Sequence, residues 1–550
     1  MEKFLNYWKT DKRYVLAIKI VLMGLLPLAA CLLYCARQGY GIGDVYLPGS
    51  EWNDELFYFK QVEAIVNYGF PQGYFGFNES HALKLSFAAW SPVLVFPWVI
   101  WGLLFGWNLM TPIWCNIFLL TLAMVIFVWL VPPTWKQLGI LTLLFLLYTP
   151  FVRYMLSGMP EIICFSMLIV FYSIVISYLR KNTGGKLALL FVLAGLMTLM
   201  RPYLLLFLVL PAVLWVMKSK WKGLIGSGVI VGVVLGIYAM IKHYLGAEYF
   251  APLFFTDWIT AFFEQGLLGG LRYFCSKLYW NGLDFVRHMK GGLLVGLASG
   301  AFFWGYLAVA AVLIVQSVID FRNLRKKDVE AQRGAEEKNL LALFIVELHL
   351  AFSFVGMLFA LLLMYKLTEG SKHLLTFMAV GVFIISLMKT KFYKKPAFIG
   401  LVFAYFYIFM ALDPYDYQVP FAEDARVVQV EQWQKIYAEN LEMSDENVPG
   451  YENAIIWVFS DTVNVTEDGK ADADGAAKNI NTKWQLFYGL PEGFGISCCM
   501  PDFVMGHLEE LQCRYLGTVS GGEIDERCAE TGWAEIARDE DFVVYENEKY

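Results

Sequence analysis

The chain has 550 residues, of which 58% are hydrophobic and 17% charged, and its formal net charge is −6. Soluble domains carry roughly 25% charged residues, so the composition excludes an ordinary soluble protein and indicates several long apolar segments that cross a membrane. A net negative charge does not favour nucleic acid as a partner.

The N-terminus is basic and precedes an apolar run from about Tyr14 to Ala36. The run is long for a cleaved signal peptide, so the pattern predicts an uncleaved first span. Positive residues favour the cytoplasmic side of a membrane, and Lys9, Lys12 and Arg13 therefore predict a cytoplasmic N-terminus. Residues 37–82 would then form the first outside loop.

An acidic helix is predicted within this loop. Asn53 is a residue type that caps helices, which places Asp54 and Glu55 in the first turn. We expect a helix along the membrane surface, with a base for lipid-linked chemistry at the membrane–water boundary. The alternative is that the acids only stabilise the helix start. Apolar residues recur on one helical face, and they are Leu56, Phe59, Val62 and Val66, with Lys60, Glu63 and Asn67 elsewhere.

Further apolar stretches predict about eleven spans in all, with twelve or thirteen tolerated. Pro92 and Pro97 predict that the first of these stretches is broken or re-entrant. Basic clusters at 180–186, 218–222, 322–327 and 389–395 should be cytoplasmic, which makes 243–292 a second outside loop. The stretches lie near 83–106, 113–131, 138–152, 160–179, 187–200, 202–217, 223–242, 293–318, 340–365, 374–388 and 397–412.

Residues 1–412 therefore form a transmembrane module, and 413–550 a polar extracytoplasmic α/β domain. We predict strands at 453–459, 515–519 and 541–545 and a helix over 523–538. One or two disulfides are expected among Cys498, Cys499, Cys513 and Cys528, because zinc-ligand spacing is missing. No dedicated metal site is visible in the sequence, which leaves metal dependence open.

Several polar residues should converge on the outer face. They are Arg153, Glu161 in Ser157-Gly-Met-Pro-Glu161, Arg201, Lys372 and His373. Guanidinium grips phosphate with two parallel hydrogen bonds, so an anionic lipid phosphate would explain cations on this side. The alternative is that each cation extends to the interface. Glu347 and His349 lie inside an apolar run and are functional candidates, unless they only bond a neighbouring helix.

The order of these features resembles the GT-C glycosyltransferase superfamily, which includes protein O-mannosyltransferases and lipid A aminoarabinose transferases. The matching features are an acidic pair opening an interfacial helix, Pro160-Glu161 opening a later span, and Ser371-Lys-His373 before a late span. The family's frequent His-Pro-Pro is missing, and only Ser91-Pro92 stands in its place.

The resemblance implies a multi-pass cell-membrane enzyme that transfers a sugar, with inversion, from a polyprenyl-phosphate donor to a hydroxyl acceptor on a glycan, lipid or protein. It implies Asp54 as general base and Glu55 as an orienting group. Arg201, with Lys372 and His373, would stabilise the leaving lipid phosphate, and Arg153 and Glu161 would complete the substrate site. No cofactor is implied. The alternatives are a lipid or polysaccharide transporter and a non-enzymatic membrane sensor.

Overall fold

The computed structural model describes residues 12–45, 53–69, 75–77, 91–147, 149–245, 255–295, 298–327, 335–364, 371–387, 421, 425–444, 453–458, 489–491, 494–499 and 501–550. The helices of the membrane module are α1 Lys12–Gln38, α2 Asn53–Tyr68, α3 Phe96–Phe105, α4 Thr111–Leu130, α5 Trp135–Leu147, α6 Thr149–Met155, α7 Glu161–Arg180, α8 Gly184–Met200, α9 Val209–Ser219, α10 Trp221–Leu245, α11 Asp257–Glu264, α12 Gly266–Val295, α13 Ala298–Lys327, α14 Ala335–Leu363 and α15 Ser371–Leu387. Short 3₁₀ segments cover Ile42–Asp44, Pro92–Val95 and Pro202–Leu208.

The C-terminal part contains α16 Ala425–Asn440, α17 Pro501–His507 and α18 Glu523–Glu530. Its strands are β2 Ala454–Val458, β3 Gly495–Cys499, β4 Tyr515–Val519, β5 Trp533–Arg538 and β6 Phe542–Asn547, and β1 Phe75–Phe77 joins them from the first loop.

The membrane module is helical, as predicted. Within the described residues, 7 helices are long and apolar enough to cross a membrane, and shorter apolar helices accompany them. The protein is therefore a multi-pass α-helical membrane protein. The expected span at 397–412 lies outside the described residues, so the number of spans stays a prediction, as does the orientation of the termini.

The predicted interruption near Pro92 and Pro97 is present in the part of 83–106 that the structure describes. Ser91 accepts a hydrogen bond from the backbone N–H of Val93 at 3.3 Å and starts a 3₁₀ segment. The helix that follows, α3, has only 10 residues. At 1.5 Å per residue it is about 15 Å long, roughly half of the hydrocarbon core of a bilayer.

The second outside loop, 243–292, is mostly helical where it is described. It contains α11 and most of the 30-residue α12. The backbone N–H of Phe255 donates to the carbonyl of Met364 at 2.8 Å, and the Asn281 amide donates to the carbonyl of Leu362 at 2.6 Å. Both bonds attach this helical pair to the end of α14.

The C-terminal domain is an α/β domain, as predicted, built on a sheet with the strand order β1-β3-β2-β4-β6-β5. The first four strands are parallel, and β6 and β5 are antiparallel to their neighbours. The predicted helix over 523–538 is wrong in its second half, which is β5. Gly532 follows the end of α18, and Trp533 buries its ring while the residues after it pair with β6.

The expected disulfides are not formed by the described cysteines. Cys499, Cys513 and Cys528 are buried as thiols. The Cys513 thiol donates to the carbonyl oxygens of Ala454 at 2.8 Å and Tyr515 at 3.2 Å. These cysteines act as small apolar residues that fill the domain core.

Helix α2 is enclosed between the two parts of the chain, and its position along a membrane surface stays a prediction. Tyr58 and Val62 belong to the core of the membrane bundle, whereas Leu56 belongs to a second core with Trp433 and Tyr437 of the C-terminal domain. On the helix's other side, a Cβ on Gly102 of α3 would lie only 2.9 Å from the Val66 side chain.

The polar face of α2 is buried as well. Lys60 is 2% and Glu63 7% exposed, and they form an ion pair of 2.9 Å. Two further contacts join the first loop to the C-terminal domain. Strand β1 pairs with β3, and Tyr40 stacks on Phe421 with ring centroids 4.2 Å apart. Leu56, β1 and Tyr40 thus attach the first loop to the C-terminal domain.

Replacing Leu56 by Ala should loosen this docking. Removing a fully buried Leu side chain typically costs about 2–5 kcal/mol, since a cavity remains. Hydrogen–deuterium exchange of the full chain in detergent should become faster in peptides from α2 and α16. The lipid-facing Leu104, which is 70% exposed, provides the control, because Leu104→Ala removes the same atoms from an open surface. Equal exchange in both variants would contradict the enclosed position of Leu56.

A buried carboxylate organises the end of the C-terminal domain. Asp525 accepts hydrogen bonds from both terminal nitrogens of Arg538 at 2.8 and 2.9 Å, from the Gly521 backbone at 2.6 Å, and from the Tyr545 hydroxyl. Gly521 has φ +75, which favours glycine. Burial acts to raise the pKa of Asp525, but hydrogen bonds from Arg538, Tyr545 and Gly521 outweigh burial and lower the pKa.

This network should make the C-terminal domain sensitive to acid. A carboxyl group whose folded-state pKa is lowered contributes stability above its unfolded pKa of about 3.9, and the contribution is lost as the pH falls through the folded value. Exchange of β4 to β6 should therefore accelerate below about pH 4. Asp525→Asn should accelerate it already at neutral pH and remove the acid response. Glu530→Gln, at a side chain that is 69% exposed, should keep the wild-type profile; an unchanged profile in Asp525→Asn would refute the role of Asp525.

Candidate functional site

The residues selected from the sequence lie on element ends that meet at one end of the helical bundle. The acidic pair opens α2, Arg153 lies in α6, Glu161 opens α7, and Arg201 precedes a 3₁₀ segment. Two observations connect these elements. Tyr58 of α2 belongs to the same buried core as Tyr203, whose hydroxyl accepts a hydrogen bond from Arg201, and the ring of Tyr203 lies 6.2 Å from that of Phe377 in α15.

The centre of this region is a buried ion pair. Nη2 of Arg201 donates to Oε1 of Glu161 at 2.7 Å, and the side chains are 0% and 1% exposed. Nη1 of Arg201 donates to the hydroxyl of Tyr203 at 3.1 Å. Local sequence explains the geometry: α8 ends at Met200, and Pro202 starts the 3₁₀ segment, so Arg201 sits at a sharp change of backbone direction with φ −142 and ψ 115.

The alternative that Arg201 extends to the membrane interface is wrong, because its side chain is fully enclosed. Its contact with a lipid phosphate stays a prediction. The second carboxylate oxygen of Glu161, Oε2, is buried without a hydrogen-bond partner among the described residues. A buried acceptor without a donor is costly, so this oxygen favours a further donor, from a ligand or from water, beside the ion pair.

Arg153 is also buried, at 4% exposure, instead of extending to the interface. Its Nε donates to the hydroxyl of Tyr34 at 3.2 Å, and the guanidinium lies 5.9 Å from the centre of the Tyr34 ring. This contact joins α6 to the end of the first span, so Arg153 is fixed at the same end of the bundle as the other selected residues.

Asn116 of α4, which sequence reasoning missed, holds the turn between α6 and α7. Its amide nitrogen donates to the carbonyls of Ser157 at 3.1 Å and Tyr154 at 3.4 Å, and its oxygen accepts from the indole of Trp98 at 2.9 Å. The sequence signal that could have identified Asn116 is that it is a single amide side chain inside an apolar run. Tyr58 was missed too; it lies one helical turn after Asp54.

The acidic pair lies in the first turn of α2, as predicted. Glu55 is fully buried, which removes it from the open membrane–water boundary where it was expected. The side chains of Asn53 and Asp54 lie outside the described residues, and the capping prediction for Asn53 is therefore untested. Since Asp54 and Tyr58 are four residues apart, the backbone of Asp54 lies about 6 Å along the helix from a residue of the buried core that contains Tyr203.

Lys372 and His373 lie in the first turn of α15, and their side chains are outside the described residues. Phe377, one turn later, contacts the rings of both Tyr203 and Phe207, at 6.2 and 5.9 Å. The start of α15 therefore approaches the 3₁₀ segment that Arg201 begins, which is the arrangement expected if these cations share a site.

The two ionisable residues inside the membrane have different environments. The Nε2 of His349 donates to the carbonyl of Leu206 at 3.1 Å, which leaves Nδ1 to accept from the Tyr172 hydroxyl at 3.1 Å. His349 thus bonds neighbouring helices and needs no ligand, which is the alternative offered above. Glu347 faces another acid, Asp320.

Among the described residues, no group of three or more His, Cys, Asp or Glu side chains could hold a metal ion. Residues 466–475, which are rich in acids, and the side chain of Asp54 lie outside them. In the part of the chain described, the predicted site contains carboxylates, guanidinium groups and tyrosine hydroxyls.

No family model matches the chain, and no curated protein matches it. Among solved structures, the chain is similar to the archaeal oligosaccharyltransferase AglB from Archaeoglobus fulgidus in complex with an inhibitory peptide and a dolichol-phosphate. The two chains are 13% identical, the match covers 95% of this chain and 73% of that chain, and the TM-score is 0.46. ArnT from Cupriavidus metallidurans matches in the apo state, with 11% identity, 96% and 97% coverage and a TM-score of 0.39. ArnT bound to undecaprenyl phosphate matches with 12% identity, 96% and 97% coverage and a TM-score of 0.38.

Every TM-score is below 0.5, and the likeness carries no argument about the activity of this chain. Its function is therefore inferred from its own residues.

Breaking the pair of Arg201 and Glu161 should destabilise the protein strongly. Removing one partner of a buried ion pair typically costs about 3–5 kcal/mol, because a charge remains in an apolar site. Glu161→Gln and Arg201→Met should each lower the unfolding temperature in detergent, and the double variant should lose less than the sum of both. The exposed pair of Asp284 and Arg287 is the control, since Asp284→Asn should cost below about 1 kcal/mol. Additive losses at Glu161 and Arg201 would contradict the coupling.

Proposed function

We propose that the protein is a membrane glycosyltransferase that transfers a sugar, with inversion, from a polyprenyl-phosphate donor to a hydroxyl group of a glycan, lipid or protein acceptor on the outer face of the membrane. The observation that carries the proposal is the position of α2. Its acidic first turn precedes Tyr58, which belongs to the same buried core as Tyr203, the residue whose hydroxyl accepts a hydrogen bond from Arg201.

Asp54 acts as the general base in this proposal. It takes the proton of the acceptor hydroxyl while the oxygen attacks the anomeric carbon of the sugar. The bond between that carbon and the phosphate oxygen breaks, and the lipid phosphate leaves with the electron pair. Attack from the face opposite the leaving group inverts the anomeric centre.

Negative charge grows on the leaving phosphate, and cations nearby lower the barrier by stabilising it. Lys372 and His373, in the first turn of α15, would serve as direct partners of the phosphate. Arg201 is engaged with Glu161 and would contribute mainly by holding the 3₁₀ segment and its surroundings in place. Arg153, bonded to Tyr34, would add positive charge at the same end.

Enclosure of α2 suits this chemistry, because a site closed to bulk water protects a reactive glycosyl centre from hydrolysis and strengthens electrostatic interactions. Glu55 is fully buried next to Asp54 and would orient the base or the acceptor. The C-terminal domain forms part of the enclosure through Leu56 and β1, so the acceptor would approach where that domain meets the membrane module.

The proposal is tested by incubating the purified full chain with a panel of synthetic polyprenyl-phosphate sugars and detecting released polyprenyl phosphate by mass spectrometry. Loss of a general base typically costs 10²–10⁴-fold in rate, so Asp54→Asn should lower turnover by about that factor with an unchanged unfolding temperature. Asp44→Asn is the matched control, because Asp44 is an exposed acid that caps the backbone of Gly41 in the same loop.

If the wild type turns over a donor and Asp54→Asn turns over the same donor at the same rate, Asp54 is not the base. A wild-type protein that releases no lipid phosphate from any donor, with membrane extract supplied as a source of acceptors, would contradict the transferase function itself.

A further inference from the structure

Two carboxyl groups face each other inside the membrane bundle, on helices that the proposed reaction does not use. Asp320 of α13 is 2% exposed and Glu347 of α14 is 0% exposed. Both lie in segments that are long and apolar enough to cross a membrane. Their carboxyl groups are within hydrogen-bonding reach of each other.

The polar atoms around this pair are not satisfied by the protein. Oδ1 of Asp320 and both carboxylate oxygens of Glu347 are buried without a donor among the described residues. Gln316 lies one turn before Asp320 on the same helical face, is fully buried, and has no described partner for its amide oxygen or nitrogen. The Ser317 hydroxyl beside it is buried and unsatisfied as well.

Two ionised carboxylates in contact inside an apolar bundle repel each other and lose their hydration, so one unit of positive charge is needed to hold them together. The described chain does not supply it. Of the charged groups in the described part of the chain, Asp320 alone acts electrostatically on Glu347. Arg322, two residues after Asp320, lies on the exposed face of α13.

Titratable groups on the helices packed around the pair are engaged elsewhere. On α14 and α7, His349 and Tyr172 bond each other, and Arg180 donates to the carbonyl of Leu130. On α12, Lys277 pairs with Asp257 of α11. From Leu374 to Leu387, α15 has no titratable side chain.

We propose that Gln316, Asp320 and Glu347 form an intramembrane site for one small cation, either a proton shared by the two carboxyl groups or an alkali cation such as sodium held by their oxygens. Carboxylate and amide oxygens are the ligands that hard cations prefer, and the unsatisfied Gln316 oxygen adds a neutral ligand to two acidic ones. The occupied site joins α13 to α14. The basic run after Asp320 predicts that this end of α13 is cytoplasmic, and we expect the cation to enter the site from that side.

The occupied site stabilises the fold, which provides the test. Thermal unfolding of the full chain in detergent is compared in sodium chloride and in choline chloride of equal ionic strength, from about pH 6 to about pH 9. A sodium occupant should raise the wild-type unfolding temperature in sodium relative to choline, on the order of 2 °C. A shared proton should give no salt difference but a fall in unfolding temperature as the pH rises, because the folded state then binds more protons than the unfolded state.

Glu347→Gln and Asp320→Asn each remove one carboxylate with little change in shape, and either variant should lose the response seen in the wild type. Thr198→Ala is the control, since Thr198 is a buried residue of α8 that bonds only the carbonyl of Ala194 in its own helix. A wild type without either response, or variants that respond to sodium and pH as the wild type does, would overturn the proposal.

Discussion

The structure depends on one helix, α2, whose described side chains from Glu55 to Ala64 are buried by protein. Tyr58 and Val62 pack in the core of the membrane bundle, and Leu56 packs in the core of the C-terminal domain. Lys60 and Glu63 pair with each other instead of facing water. Burying charged groups is tolerated only when each has a partner, and this ion pair meets that condition within the helix. The contacts of Tyr58, Val62 and Leu56 fix the acidic turn at the junction of the membrane module and the C-terminal domain.

The same rule explains the surroundings of α2. Arg201 is paired with Glu161, and Arg153 donates to Tyr34. Such pairs add little net stability compared with apolar residues of similar volume, but they are sensitive to the loss of one partner. Their role here is to hold helix ends in position. They tie the ends of the first span, α6, α7 and α8 to one another, which prepares a polar region at one end of an otherwise apolar bundle.

Local sequence predicted the elements that have a local cause. The long apolar runs predicted the membrane helices, Asn53 with its acidic neighbours predicted the start of α2, and short apolar runs predicted β2, β4 and β6. The surroundings of these elements could not be predicted, because they depend on contacts between distant parts of the chain. The sequence near Leu56 does not indicate that this residue packs against a domain beginning hundreds of residues later, and β1 pairs with a strand at the other end of the sequence. Likewise, Glu347 was recognised as unusual from its apolar neighbours, whereas its partner Asp320 required the structure. The predicted helix over 523–538 is wrong in its second half for a related reason, since the pairing of β5 with β6 outweighs the local helical pattern.

The central claim is that α2 presents its acidic turn to a lipid phosphate held at the same end of the bundle as Arg201 and the start of α15. A cryo-electron-microscopy structure of the full chain in a lipid nanodisc with added polyprenyl phosphate tests it most directly. The account predicts phosphate density in contact with Lys372 or His373, with the Asp54 carboxylate facing the same cavity. Phosphate density at the opposite end of the bundle, or an Asp54 side chain turned away into solvent, would contradict it.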